Sequence, residues 1–323
     1  MGRYFHAVLL LVLITFSTLL ARQVRVDVRL VNLIATVTDD RGRYVANLSP
    51  DDFIVEEDGV AQKVMHFSQD REVPVSVGVL LDTSGSMDRK IRTAVDAVDR
   101  FIRRIHEDDE IFIMTFSSDP ELRQDFTSDR DNLSRALRKI AVTGGTALYD
   151  ALRVGLLKIS TGRHDKRAIL VITDGQDTSS ATKLDNVLLA IRESELLVYS
   201  LGISLLTYAQ PVDHVPFSWP LPKSLGGKSA VSNKRDQVEM DVLRAFAENS
   251  GGRAFLLADS FIGGRGADIE KVLDSIANEL RSQYTLGYYP SRPDDGQYHS
   301  IRIRNKSGYV VRARRGYVAG NSE

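Results

Sequence analysis

The sequence predicts an α/β protein, with a Rossmann-like, doubly wound, mainly parallel sheet flanked by a β-sandwich formed from the N- and C-terminal strands. Three observations carry that expectation. Val75–Leu81, read VSVGVLL, is a continuous apolar run of the kind buried on both faces in mid-sheet. From there to Arg281, short apolar runs alternate with stretches of helical spacing, which implies parallel strands covered by helices. On either side the pattern changes to short β-prone segments separated by turn signals.

At 323 residues the chain is long enough for a sizeable core and for two domains. Hydrophobic residues make up 43% and charged residues 26%, which is ordinary for a folded globular chain. With 42 basic and 43 acidic side chains, no global field favours nucleic acid or an anionic membrane. Cysteine is absent, so disulfides and thiolate metal sites are excluded and any metal must be held by oxygen or nitrogen.

Residues 1–21 read as an export signal. Arg3 precedes the apolar run Ala7–Leu20, and Ala21 follows it. The run is short for a span, which needs about 20 apolar residues. Leu19 fits poorly two positions before cleavage at Ala21, so retention as an N-terminal anchor is the alternative. Either way the expected location is outside the cytoplasm, periplasmic or secreted.

Residues 22–72 form the N-terminal β-rich segment. Val24, Val26, Val28 and Leu30 alternate with polar residues, and Leu33–Thr38 continues the strand character. Asp39-Asp-Arg-Gly42 marks a turn, Phe53–Glu57 a strand, and Asp58-Gly59 a hairpin before a strand over Val60–Phe67. No acid, base and nucleophile converge there, so the segment reads as scaffold.

The α/β domain is expected over 73–284. After Val75–Leu81, a helix is marked by Ile91, Ala94, Val95, Val98, Phe101, Ile102 and Ile105. Ile111–Phe116 is the next buried strand and Leu122–Phe126 an edge strand. Leu133, Leu137 and Ile140 mark a helix, and a further helix is expected from Ala147 to Ile159. Ala168–Thr173 is a strand, Leu184–Ser194 a helix and Leu197–Ile203 a strand. The insertion 204–236 interrupts the rhythm with four prolines and the only tryptophan, Trp219. It leaves the carboxyl end of a strand, so Phe217 and Trp219 are either anchors for a partner or aromatics packed within a loop. A helix around Val242–Ala247, the strand Ala254–Leu257 and a helix over Ile269–Arg281 complete the domain.

Residues 285–323 form the C-terminal β-rich segment, with strands at Tyr284–Tyr289, Tyr298–Arg304 and Tyr309–Ala313. Neither end has enough strands for an independent core, so the two are expected to pack together. Arg302, Arg304, Arg312 and Arg314, with Arg315 beside them, alternate as the solvated face of a strand would; a patch for an anionic ligand is the alternative.

The chemistry-bearing residues lie on the turns leaving the buried strands, where open α/β sheets bind ligands. Asp82, Ser84 and Ser86 place a carboxylate and two hydroxyls at alternate positions after the first strand. Thr143-Gly-Gly-Thr146 and Thr173-Asp174-Gly175 add oxygen donors on two further turns. Such hard donors suit magnesium, which prefers oxygen ligands at about 2.0–2.1 Å. Each piece alone has a plain structural use as a cap or turn, and Asp88, Asp150 and Asp177 are read as solvated or capping and left out of the ligand set.

In combination these turns resemble the von Willebrand factor A domain with its metal-ion-dependent adhesion site. The resemblance covers Pro74 to Tyr284, and the export signal with β-rich flanks looks like the related proteins common in Acidobacteria. Asp82, Ser84 and Ser86 match the family's D-x-S-x-S, Thr146 its separate threonine and Asp174 its last aspartate. The resemblance implies that Ser84, Ser86 and Thr146 hold Mg²⁺, or Mn²⁺ or Ca²⁺, directly. Asp82 and Asp174 then act partly through water, and a Glu or Asp carboxylate of a partner protein completes the ion. With few bound anions the ion stays electrophilic, so such a carboxylate gains a strong contact.

Catalytic motifs are missing from the sequence. The six histidines are scattered without HExxH, and there is no G-x-S-x-G. Gly226-Gly-Lys-Ser229 has Pro222 where a phosphate loop needs its first glycine. A phosphatase with an aspartate nucleophile would want a carboxylate where Ser84 stands. The expectation is a non-enzymatic, exported, metal-dependent protein-binding module. A scaffold or assembly component of an envelope complex, using the same site, is the rival, and a hydrolase comes third.

Overall fold

The computed structural model describes residues 30–69, 73–138, 140–204, 238–258, 266–291 and 295–320. The export segment 1–21, the strand positions before Leu30 and the insertion with Phe217, Trp219 and Gly226–Ser229 lie outside the described residues.

The chain opens with β1 (Val31–Thr38), β2 (Phe53–Glu57), β3 (Val60–Gln62) and β4 (His66–Ser68). The α/β region runs β5 (Val75–Asp82), α1 (Ile91–Arg104), β6 (Glu110–Phe116), β7 (Pro120–Thr127), α2 (Arg130–Ala136), α3 (Leu148–Ile159), β8 (Lys166–Thr173), α4 (Leu184–Glu193), β9 (Leu197–Ser204), α5 (Met240–Ser250), β10 (Ala254–Ala258) and α6 (Gly266–Arg281). The chain then returns to strands: β11 (Gln283–Tyr288), β12 (Tyr298–Asn305), β13 (Val310–Arg312) and β14 (Gly316–Val318).

The central sheet has the order β10-β9-β8-β5-β6-β7, with only the edge strand β7 antiparallel. Side chains alternate along β5, so its two faces feed two separate cores. Val75, Val77, Val79 and Leu81 pack with Val98 and Phe101 of α1 and Leu273 and Ile276 of α6. Leu80 packs on the other side with Leu152 of α3, Val187 of α4 and Phe246 of α5. The sheet is therefore doubly wound, as the alternation of runs predicts. Gly78 stands in mid-strand because the Phe112 ring of β6 lies across it, and a Cβ there would meet the ring at 2.5 Å.

The strands from the two ends are interleaved. β1 pairs antiparallel with both β11 and β13, and β4 closes the other edge of β11. In a second sheet β2 lies between β3 and β12, and β14 pairs with β12. One apolar cluster draws on both sheets, with Leu33, Phe53, Val55, Tyr284, Leu286, Ile301 and Tyr317 among its members.

Several details differ from the sequence reading. The strand expected over Val60–Phe67 is two strands in different sheets, because β3 pairs with β2 while β4 pairs with β11. The helix expected through Ile140 ends at Ala136, although Ile140 still packs on the core from a loop. β11 begins at Gln283, so the boundary at 284 falls inside a strand of the flank. Arg312 and Arg314 are not a solvated face. Arg314 is buried, donating to the carbonyls of Asn32 and Arg192 and pairing with Glu195. Arg312 pairs with Glu279 of α6.

Glu279 is the tie between flank and central sheet. Its carboxylate is buried and accepts from Tyr199 of β9 at 2.9 Å, Thr36 of β1 at 3.5 Å and Tyr44 at 3.4 Å, besides Arg312 of β13. Burial and then the Glu279 charge push the Tyr199 phenol well up, which keeps it a donor. Glu279→Ala strands these donors, and Arg312 is only partly solvated, so the expected loss is about 3 kcal/mol of unfolding free energy. Urea denaturation measures it, and a change below about 0.5 kcal/mol would show that the tie is unimportant.

Candidate metal centre

β5, β6 and β8 run parallel and end together, with Asp82 opposite Phe116 and Leu81 opposite Ile172. Three loops therefore leave the same edge of the sheet, and hydrogen bonds join them. Thr83 donates its N–H (2.8 Å) and hydroxyl (3.0 Å) to the Phe116 carbonyl, and accepts from Thr143 N–H through its own carbonyl at 3.0 Å. Gly85 N–H reaches the Gly144 carbonyl at 3.2 Å. Gly144 has φ of +78°, a left-handed conformation that suits glycine there. The loop carrying Thr146 is thus fixed to the loop carrying Ser84 and Ser86.

Asp82 and Asp174 are both 0% exposed. Asp82 accepts from Ser84 N–H at 2.9 Å and from the Thr173 hydroxyl at 2.6 Å. Burial pushes its carboxyl up to about 6, with the Asp174 charge adding to the effect and the Ser84 and Thr173 bonds opposing it. Asp174 accepts from Gln176 N–H at 3.3 Å and from Lys90 Nζ at 3.1 Å. Its carbonyl also takes the N–H of Glu239, at the start of α5, at 2.8 Å.

The Ser84 and Ser86 hydroxyls lie 3.1 Å apart, Ser84 buried and Ser86 half-buried. Thr146 is buried, with its N–H donated to the Thr178 hydroxyl and its carbonyl accepting from Thr178 and Ser179 N–H. Asp150 and Asp177 stitch loops. Asp150 accepts from Ala181 and Thr182 N–H, and Asp177 from Tyr149 N–H and the Ser180 hydroxyl. Asp88 is exposed.

Lys90 is a site residue that no motif of the sequence marks. It is 0% exposed, and its ammonium is buried against Asp174. The signal lay in its spacing: Lys90 stands four residues before Ala94 and eight before Val98, on the helix face that turns inward. A lysine on that face must find an acid or leave the core.

Two carboxylates are thus buried at this edge, one of them paired with a buried ammonium, and two hydroxyls lie against each other on the adjoining loop. Charged groups without full compensation are costly in such a setting. The donor set consists of hard oxygens, so these residues fit a cation of the magnesium class.

The family model of the von Willebrand factor type A domain matches residues 77–176, which include all five site residues expected from sequence. An uncharacterised protein of Synechocystis sp. is 28% identical over 141 residues, covering 41% of this chain. The matched part spans 33% of that relative's own length. Among solved structures, a von Willebrand factor type A protein from Catenulispora acidiphila covers 91% of this chain and 74% of its own at 12% identity and a TM-score of 0.48. A conserved hypothetical protein, BatB, from Bacteroides thetaiotaomicron covers 64% of this chain and 99% of its own, with 18% identity and a TM-score of 0.47. Residues 77–176 are thus similar to the von Willebrand factor type A domain, and the order of the strands is that of a doubly wound α/β sheet.

Proposed function

We propose that this chain is an exported, non-catalytic module that binds a partner protein through a divalent cation held at the carboxyl edge of its central sheet. The observation that carries the reading is the burial of both Asp82 and Asp174, with Lys90 buried against Asp174 and the Ser84 and Ser86 hydroxyls 3.1 Å apart on the adjoining loop. Ser84, Ser86 and Thr146 would hold Mg²⁺, or Mn²⁺ or Ca²⁺, and the bound ion would supply an electrophilic position for a Glu or Asp carboxylate of the partner. Asp82 and Asp174 orient the hydroxyl loops and balance charge. Lys90 removes one negative charge from the site, so the loaded site carries a net positive charge that favours an acidic partner. An envelope scaffold using the same site is the second reading; the experiment below tests the ion on which both depend.

Capture of partners from an envelope or secreted fraction is expected in magnesium and lost in chelator. The Ser84→Ala/Ser86→Ala variant should capture nothing above background in either buffer. Equal capture by both proteins, with and without chelator, would contradict the reading.

Lys90→Met separates the charge from the packing. Removing one partner of a buried ion pair costs about 3–5 kcal/mol, so the metal-free variant should unfold at markedly lower urea. Magnesium should restore more stability to it than to wild type, because the ion takes over the balance of Asp174. Calorimetric titration should show tighter magnesium binding by about tenfold, equivalent to ~1.4 kcal/mol. Unchanged magnesium affinity would remove Lys90 from the site's electrostatics.

A further inference from the structure

A second group of metal-ligating side chains lies in the flanking sheets. β2 ends at Glu57, and the turn to β3 places Asp58 and Gly59 at positive φ, 47° and 80°. β12, paired with β2, brings His299 to the same place, and Asp58 N–H donates to the Ser300 carbonyl at 2.9 Å. Glu57 and His299 are each only 3% exposed. One ligand atom from each of Glu57, Asp58 and His299 falls within 4.8 Å of the others.

One atom of each of the three side chains is held by another group, and Asp58 is the exposed member of the three. Glu57 Oε2 accepts from the Tyr288 hydroxyl at 2.6 Å and the Tyr317 hydroxyl at 3.3 Å. Asp58 Oδ1 accepts from Ser300 N–H and from the Ser300 hydroxyl, both at 2.9 Å. His299 Nε2 is bonded to Asp295 at 3.0 Å. The other atoms converge: His299 Nδ1 is hydrogen-bonded to Asp58 Oδ2 at 2.8 Å and lies 3.8 Å from Glu57 Oε1. Ligand atoms around a tetrahedral zinc, each about 2.0–2.1 Å from the ion, stand about 3.3 Å apart. The two observed separations bracket that spacing.

We propose that Glu57, Asp58 and His299 form a zinc site, separate from the oxygen-lined site of the α/β domain, with a fourth position for water or an outside ligand. Asp295 is its positioning residue, in the carboxylate–histidine–metal arrangement that fixes a ligand's ring. An imidazole with two carboxylates selects zinc over magnesium or calcium, which take oxygen. On binding, the zinc–nitrogen bond replaces the proton on Nδ1, which passes to solvent. The ion joins the β2–β3 turn to β12, which are 241 residues apart in sequence, and so clips the two ends of the chain together.

The test uses the Ser84→Ala/Ser86→Ala chain, so that the first site does not confuse the count. Zinc titration against a chromophoric chelator should give one ion per chain, and zinc-edge X-ray absorption should show one imidazole among oxygen ligands. Zinc should raise the melting temperature. Adding His299→Asn should weaken binding at least 100-fold and abolish the imidazole signal. Adding Asp295→Asn, at a partly exposed position, should weaken it 10–100-fold while keeping the signal. An all-oxygen zinc environment, or zinc affinity unchanged by His299→Asn, would overturn the site.

Discussion

Asp82 and Asp174 are both cut off from water, and the arrangement around them follows from the need to balance their charge. Strand β5 delivers Asp82 to the sheet edge because its seven preceding residues are buried on both faces, and β8 delivers Asp174 beside it for the same reason. Burial there resists ionisation and pushes the Asp82 carboxyl up, and the Asp174 charge adds to the effect. Lys90 answers half of that charge from within the fold. The Ser84 N–H, the Thr173 hydroxyl and the backbone bonds among the three loops answer more of it with dipoles. The small hard cation proposed for this edge would supply the rest, with the serine hydroxyls as neutral ligands.

The flanking sheets obey a different constraint. β1 sits between β11 and β13, so neither end of the chain can complete a sheet alone. The α/β unit is thereby closed at its chain termini by one structure, and Glu279 on α6 joins the two through bonds to β9, β1 and β13. A buried carboxylate with four donors gives this junction one geometry, because each donor would be left unsatisfied in any other. The zinc site proposed at Glu57, Asp58 and His299 would hold the same interleaving from its second sheet.

Much of this was legible in the chain. Val75–Leu81 announces a buried strand because Ser76 is its one polar residue, and the loops are recognisable because hydroxyls and aspartates follow such strands. Lys90 was harder to read, since a lysine beside Asp88 and Arg89 looks like part of a solvated turn until its helical phase is considered. Arg312 and Arg314 read as a solvated face because their partners, Glu279 and Glu195, are distant in sequence. The break between β3 and β4 has no glycine or proline to mark it, since it is set by which neighbour each half finds. His299 stood among scattered histidines, and only the pairing of β12 with β2 brings it to Glu57 and Asp58.

On the proposed reading, the buried Asp82 and Asp174, with Lys90 on Asp174, belong to a site for a divalent ion. A crystal structure grown in excess magnesium chloride tests it directly. The account predicts one ion about 2.0–2.1 Å from the hydroxyl oxygens of Ser84, Ser86 and Thr146, with Lys90 still on Asp174. Ordered loops with no ion among those three hydroxyls, at saturating magnesium, would contradict it.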